Sequence, residues 1–212
     1  MKPRSEKQQE RIREYLLESE KGNCINNGIL NDKEIKELAE KENMIQPFVD
    51  HQVEKDVMSY GLGSYGIDLR IGNEFEIFSD VANFPVDPKD FDKDALVHKE
   101  SDDSVIIPPN SFALGYTIER ISMPDNLMGV CMGKSSYARC GVVANVTPIE
   151  PSWEGFIVVE LSNTSPLPAK VYTGEGIVQL IFFRGQRPSM TYAEKESKYQ
   201  NQGKEVQTSK VV

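Results

Sequence analysis

Histidine and cysteine are scarce in this chain of 212 residues, and each scarcity removes a class of chemistry. The two histidines, His51 and His98, leave zinc hydrolysis and His-based nucleophilic triads without their parts. His98-Lys99-Glu100 matches half of a zinc hydrolase signature. The Pro-Cys-x-x-Cys half is missing, Cys131 and Cys140 being nine apart, so His98 reads as an exposed loop residue. Three cysteines, Cys24, Cys131 and Cys140, make an odd count; the last two flank apolar runs and are expected as buried, reduced thiols. No apolar run approaches ~18 residues, which argues against a membrane span. The polar stretch Met1 to Glu10 is neither a signal nor a transit peptide, so the expectation is cytoplasmic. Basic residues are outnumbered, for a net charge of -9, which argues against a broad nucleic-acid surface but leaves room for a local basic pocket.

What is present suits a soluble globular protein, with 39% hydrophobic and 27% charged residues. Three parts are expected. Residues 1–30 form an N-terminal extension, a marginal helix or disordered, with a thin stripe of Ile12, Tyr15 and Leu16. Residues 31–190 form the main domain, and the polar tail 191–212 is either a frayed end or a lid over ligand. Asn31 followed by Glu34 predicts a capping box and a helix to about Glu42.

From Val57 the apolar period becomes two. Ile67, Leu69 and Ile71, then Phe75 and Ile77 after Gly72-Asn73, predict a hairpin. Residues 83–104 read as an acidic excursion with a short helix. Further strands are expected at Ser104–Ile107, Phe112–Arg120, Leu127–Met132, Ala169–Tyr172 and Ile177–Phe183. Short strands broken by proline and glycine turns predict a mainly β antiparallel sandwich or barrel with a few short helices.

Two stretches carry chemistry. Gly133-Lys134-Ser135-Ser136-Tyr137-Ala138-Arg139 gathers hydroxyls and cations where a short helix would begin, which suits phosphate oxygens or else caps an ordinary helix. In Phe156 to Leu161, the residues Ile157, Val159 and Leu161 predict one apolar face and Phe156, Val158 and Glu160 the other. Glu160 is then a carboxylate on a half-buried strand, a general acid and base or a structural ion-pair partner. Desolvation would favour its protonated form and Arg139 nearby would oppose that. Backbone groups at Thr147-Pro148 could read a base edge. Two literal motifs fail. Gly61-Leu62-Gly63-Ser64-Tyr65-Gly66 opens a strand where a dinucleotide fingerprint must open a helix, and Gly133-Lys134-Ser135 lacks the first P-loop glycine.

These stretches, with Ser64 to Arg70, Ile107 to Leu114, Trp153-Glu154-Gly155, Gly176 to Leu180 and Lys198 to Gln202, make the chain resemble the deoxycytidine triphosphate (dCTP) deaminases, a family related to the trimeric dUTPases. The resemblance runs from about Leu30 to Gly203. It implies a distorted antiparallel β-barrel of dUTPase type, a homotrimer with sites between subunits, and hydrolysis of dCTP to dUTP and ammonia. That activity would feed pyrimidine deoxyribonucleotide and thymidylate synthesis. It further implies Mg2+ with the triphosphate and no catalytic zinc. Glu160 would be the catalytic acid and base, with Ser135 and Arg139 beside the attacking water. Lys134, Ser136, Tyr137 and Ala138 would support substrate, Val158 and Val159 would face deoxyribose and base, and Gln179, Tyr192, Lys198 and Gln202 would hold the triphosphate. A plain dUTPase would want an aspartate where Thr147-Pro148-Ile149-Glu150 stands. Glu150 keeps open a bifunctional enzyme that continues to dUMP and pyrophosphate; a non-catalytic nucleotide-binding regulator is the remaining alternative.

Overall fold

The computed structural model describes residues 28–79 and 85–210; the expected N-terminal helix lies outside them. The short strands β1 (Gly28–Ile29), β2 (Ile45–Gln46), β3 (Gln52–Val53) and β4 (Tyr60–Leu62) precede the long β5 (Ile67–Phe78). Next come β6 (Leu96–Glu100), β7 (Ser104–Ile107), β8 (Phe112–Ser122), β9 (Leu127–Gly133) and β10 (Val142–Asn145). The last are β11 (Glu154–Asn163), β12 (Ala169–Tyr172) and β13 (Gly176–Arg184). The helices are α1 (Asp32–Glu42) and the four-residue α2 (Ser135–Ala138). The main sheet runs β1-β13-β5-β8-β11-β10, with β9 on β13 and β6 on β5, while β12 and β7 form a separate pair. All these ladders are antiparallel, and the sheet curls into the expected distorted half-barrel.

Helix α1 begins as its sequence predicts. Asn31 Oδ1 accepts from Lys33 N at 3.0 Å and Glu34 N at 3.2 Å, while Glu34 Oε2 accepts from Asn31 N at 3.2 Å. It ends where Asn43 turns left-handed at φ 55°, and Ile35 and Ala39 on one face enter the core.

The predicted hairpin at Gly72-Asn73 is instead the middle of a single strand of 12 residues. Gly72 serves close approach rather than a turn: a Cβ there would lie 2.8 Å from the Tyr116 ring. The period of two runs through it, burying Ile67, Leu69, Ile71, Phe75 and Ile77. The first half of β5 pairs with β13 and the second with β8 and β6. Where the β5–β8 register shifts between Ile71 and Phe75, Glu119 fills the gap, accepting from Arg70 N at 2.8 Å and Nε at 2.7 Å. Burial pushes the Glu119 carboxyl up despite those bonds.

The acidic excursion holds a 3-10 turn at Lys93–Ala95 and, unexpectedly, strand β6. His98 is therefore an exposed strand residue, its Nδ1 3.0 Å from Glu76 Oε1, not a loop residue. Cys131 and Cys140 are free thiols, but neither is fully buried as expected: Cys131 is half-buried and Cys140, in the turn after α2, is exposed. Among the described residues no helix is long and apolar enough to cross a membrane. The tail from Thr191 to Lys210 has no helix or strand, yet it packs along the mouth of the barrel.

Candidate active site

Strands β8 and β11 build one wall. Their register sets Val158 opposite Tyr116 and Glu160 opposite Leu114. Alternation then does the rest: Ile157, Val159 and Leu161 are buried on the core side, while Val158 and Glu160 face outward. Outward lies a cavity of about 620 Å³, the size range of small-ligand sites. Phe78, Phe112 and Leu114 line its apolar end, and residues 146–150 line a second side. That segment is pinned to β9 by reciprocal 2.8 Å bonds between Gly129 and Ile149.

Glu160 is half-buried on this wall. Its cross-strand partner on β10 is Asn145, whose side-chain Nδ2 donates to Glu160 Oε2. No ion pair holds the carboxylate among the described residues, so the structural alternative raised by the sequence finds no support here.

The tail closes the third side. Tyr192 N donates to Pro151 O at 2.9 Å, and Trp153 Nε1 donates to Tyr199 O at 2.9 Å. Phe156 N then donates to Gln202 O at 3.0 Å, beside a parallel bridge from Gly155 to Gln202. Gly155 makes this contact possible. It has φ +148°, and a Cβ there would lie 2.7 Å from Gln202 N and 2.8 Å from Gln202 O. Tyr192, Lys198 and Gln202 thus reach the cavity. Gln202 is 7% exposed, and its Nε2 has no hydrogen-bond partner among the described residues, which leaves a buried donor at the cavity wall. Lys198 Nζ donates to Lys210 O at 2.6 Å.

The Gly133 to Arg139 turn lies elsewhere on the chain and does not line this cavity. Lys134 caps α2 by position but spends its ammonium below, 2.6 Å from Asp68 Oδ2 and 3.0 Å from Ser59 Oγ. Both charged side chains are nearly buried, at 10% and 6% exposure. Tyr137 is buried too; its hydroxyl accepts from Tyr172 N at 3.0 Å, and burial pushes that hydroxyl up to about 12. Ser135, Ser136, Ala138 and Arg139 are left exposed on the outer side.

The structure therefore gathers Val158, Glu160, Tyr192, Lys198 and Gln202 around one cavity. It keeps Lys134 to Arg139 and Gln179 apart from them within one chain and points Val159 into the core. Sequence reading assigned no role to Asn145 and none to Gly155. The first is visible only once β10 pairs with β11; the second had a signal in the Trp153-Glu154-Gly155 run preceding a strand. Among the described residues no group of three or more His, Cys, Asp or Glu is arranged as metal ligands.

Comparison with known proteins converges on one family. The model of dCTP deaminase-like proteins matches residues 29–185. A dCTP deaminase of Acidobacterium capsulatum is 54% identical over 175 residues, covering 82% of this chain and 94% of that protein. One from Protochlamydia amoebophila is 52% identical over 179 residues, covering 82% and 95%. Among solved structures, a 2'-deoxycytidine 5'-triphosphate deaminase of Agrobacterium tumefaciens superposes with a TM-score of 0.57 at 18% identity. It covers 75% of this chain and 48% of that one, a likeness of fold.

Proposed function

The chain belongs to the dCTP deaminase-like family, and from that premise we propose that it hydrolyses dCTP to dUTP and ammonia. The observation that carries the reading is Glu160, a half-buried carboxylate with no ion pair among the described residues of its own chain, on the wall of a cavity large enough for a nucleotide. Water adds across the carbon 4–nitrogen 3 double bond of the cytosine, Glu160 taking one of its protons and delivering it to nitrogen 3. Glu160 then takes the remaining hydroxyl proton and passes it to the 4-amino nitrogen; the carbon 4–nitrogen bond breaks, ammonia leaves, and the carbon 4 oxygen becomes the carbonyl of uracil, which keeps its hydrogen on nitrogen 3. Magnesium enters as part of the substrate, on the triphosphate oxygens. Gln202 Nε2 and the Lys198 ammonium supply donors on the tail side.

Ser135, Ser136 and Arg139 complete the site from a second copy of the chain in a homotrimer. Two features support this. These side chains are exposed and sit away from the cavity of their own chain. The outer face of β9 and β1 also shows Met128, Met132 and Ile29, at 39%, 54% and 48% exposure, an apolar surface suited to another copy.

The test is incubation of the protein with dCTP and Mg2+, with chromatography of the products. Equimolar dUTP and ammonia are expected, and Glu160→Gln should abolish turnover while dCTP still binds. Unchanged dCTP would sink the reading in favour of a nucleotide-binding protein. A bifunctional enzyme has one observation on its side: Glu150 lines the same cavity, with Lys195 Nζ 3.7 Å from its carboxylate. Accumulation of dUMP and pyrophosphate in the same assay would mark it.

A further inference from the structure

We infer that Asn145 is the positioning residue of the general base: its side-chain amide holds Glu160 by one oxygen so that the other meets the attacking water. The inference rests on the deaminase reading for the word base, but its geometry stands alone. Asn145 is the last residue of β10 and lies directly across the ladder from Glu160 on β11. Adjacent antiparallel strands bring directly opposed side chains within reach of each other. Here the reach is used, Nδ2 donating to Oε2.

Three consequences follow from the chemistry of an amide donor. First, a carboxylate on the rim of a cavity can swing; one anchored oxygen fixes its plane, and the cost of orienting it is met before substrate arrives. Secondly, the amide engages one carboxylate oxygen, Oε2, which leaves the other free to accept from water. Thirdly, the donor is neutral, so it fixes the carboxylate without bringing a charge of its own into the site.

Within its own chain, the other titratable groups around Glu160 are engaged elsewhere. Glu150 faces Lys195 at 3.7 Å, Lys198 donates to Lys210 O, and Tyr192 OH accepts from Tyr199 N at 3.3 Å. Tyr199 OH in turn accepts from Lys210 N at 3.2 Å. Two strands away on the same face, Glu76 pairs with His98. Asn145 is the direct side-chain partner, and it is exposed, so exchanging it leaves the core intact.

The experiment is steady-state kinetics on dCTP in wild type, Asn145→Ala and Asn145→Asp, with dCTP affinity measured separately. Losing the anchor should lower kcat about ten- to a hundred-fold in Asn145→Ala with KM and dCTP affinity nearly unchanged, because the carboxylate must then be oriented in every turnover. Asn145→Asp, which sets a second carboxylate where the donor stood, should lose more. A merely structural Asn145 would move KM and kcat together, and a kcat within about twofold of wild type in both folded variants overturns the inference. If wild type leaves dCTP unchanged, the deaminase reading fails by itself. The side-chain amide resonances of Asn145 then decide: a shift in Glu160→Ala supports the inference, and resonances that do not respond overturn it.

Discussion

Glu160 stands on a strand whose reverse face, Ile157, Val159 and Leu161, is buried in the core. Ser135, Ser136 and Arg139 stand on a four-residue helix tied down by Lys134 and Tyr137. The first region gains its precision from a ladder on both sides, β8 and β10. The second gains it from two buried anchors reaching beneath an exposed turn. The carboxylates in the two places teach the difference. Asp68 is buried and bound to an ammonium, with Gln52 Nε2 as a further donor at 3.1 Å, and the same ammonium also donates to the Ser59 hydroxyl. Glu160 is half-buried with a neutral partner. One is spent on structure and the other is kept for a proton.

The sharpest way to break that comparison is the same chemical change in both places. Asp68→Asn leaves the Lys134 ammonium buried without its counter-charge, and loss of one member of a buried pair costs about 3–5 kcal/mol. Glu160→Gln keeps an oxygen for the Asn145 amide and should change stability by no more than about 0.5 kcal/mol. Urea midpoints of the two variants check the prediction; equal midpoints would show that the two carboxylates are not divided between structure and chemistry.

A second substitution separates the wall of the cavity from the tail that closes it. Gly155→Ala drives a methyl into the Gln202 backbone and strains a φ of +148°. It should release the tail while leaving the Glu160 ladder intact. Loss of the Phe156 to Gln202 bond and its neighbours should weaken dCTP binding by about 1–3 kcal/mol, roughly ten- to a hundred-fold in KM. The sign of a tail role is a KM effect larger than the kcat effect, with faster hydrogen exchange at Phe156; an unchanged KM would remove the tail from the site.

How much of this was legible beforehand depended on the range of each signal. The capping box at Asn31 and Glu34 is local, and it formed as read. The alternation through Glu160 is also local, and it gave both the buried face and the outward carboxylate. Gly72 misled because a glycine that admits an aromatic ring from β8 looks, in one dimension, like a glycine that turns a hairpin. Asn145 and Asp68 were invisible for the same reason. Their roles are set by partners 15 and 66 residues away, through strand pairing that no window of sequence contains. Lys134 read as a free cation because its counter-charge lies on β5, far upstream.

The smallest effect concerns the start of the tail and its dependence on pH. Glu194 Oε2 accepts from Thr191 N at 2.7 Å, Thr191 Oγ1 accepts from Glu194 N at 3.4 Å, and Arg187 Nη2 donates to Glu194 Oε1 at 2.5 Å. The Thr191 backbone and hydroxyl, and then Arg187, hold the Glu194 carboxyl below the usual glutamate value of 4.5. A carboxylate whose value is lowered by docking favours the docked tail at all pH above 4.5, and that help is lost as pH falls through the lowered value. Hydrogen exchange of the tail amides should therefore quicken on going from about pH 6 to about pH 3, after correction for the intrinsic rate. In Glu194→Gln the corrected rates should be faster at pH 6 and nearly flat with pH, because no proton is taken up on release. The effect will be modest, since this ion pair is about half exposed and screened by water. A wild-type tail whose corrected protection does not change over that range would show that Glu194 does not hold it, and would leave the closure to contacts such as those of Tyr192, Trp153, Gly155 and Gln200 on the wall that carries Glu160.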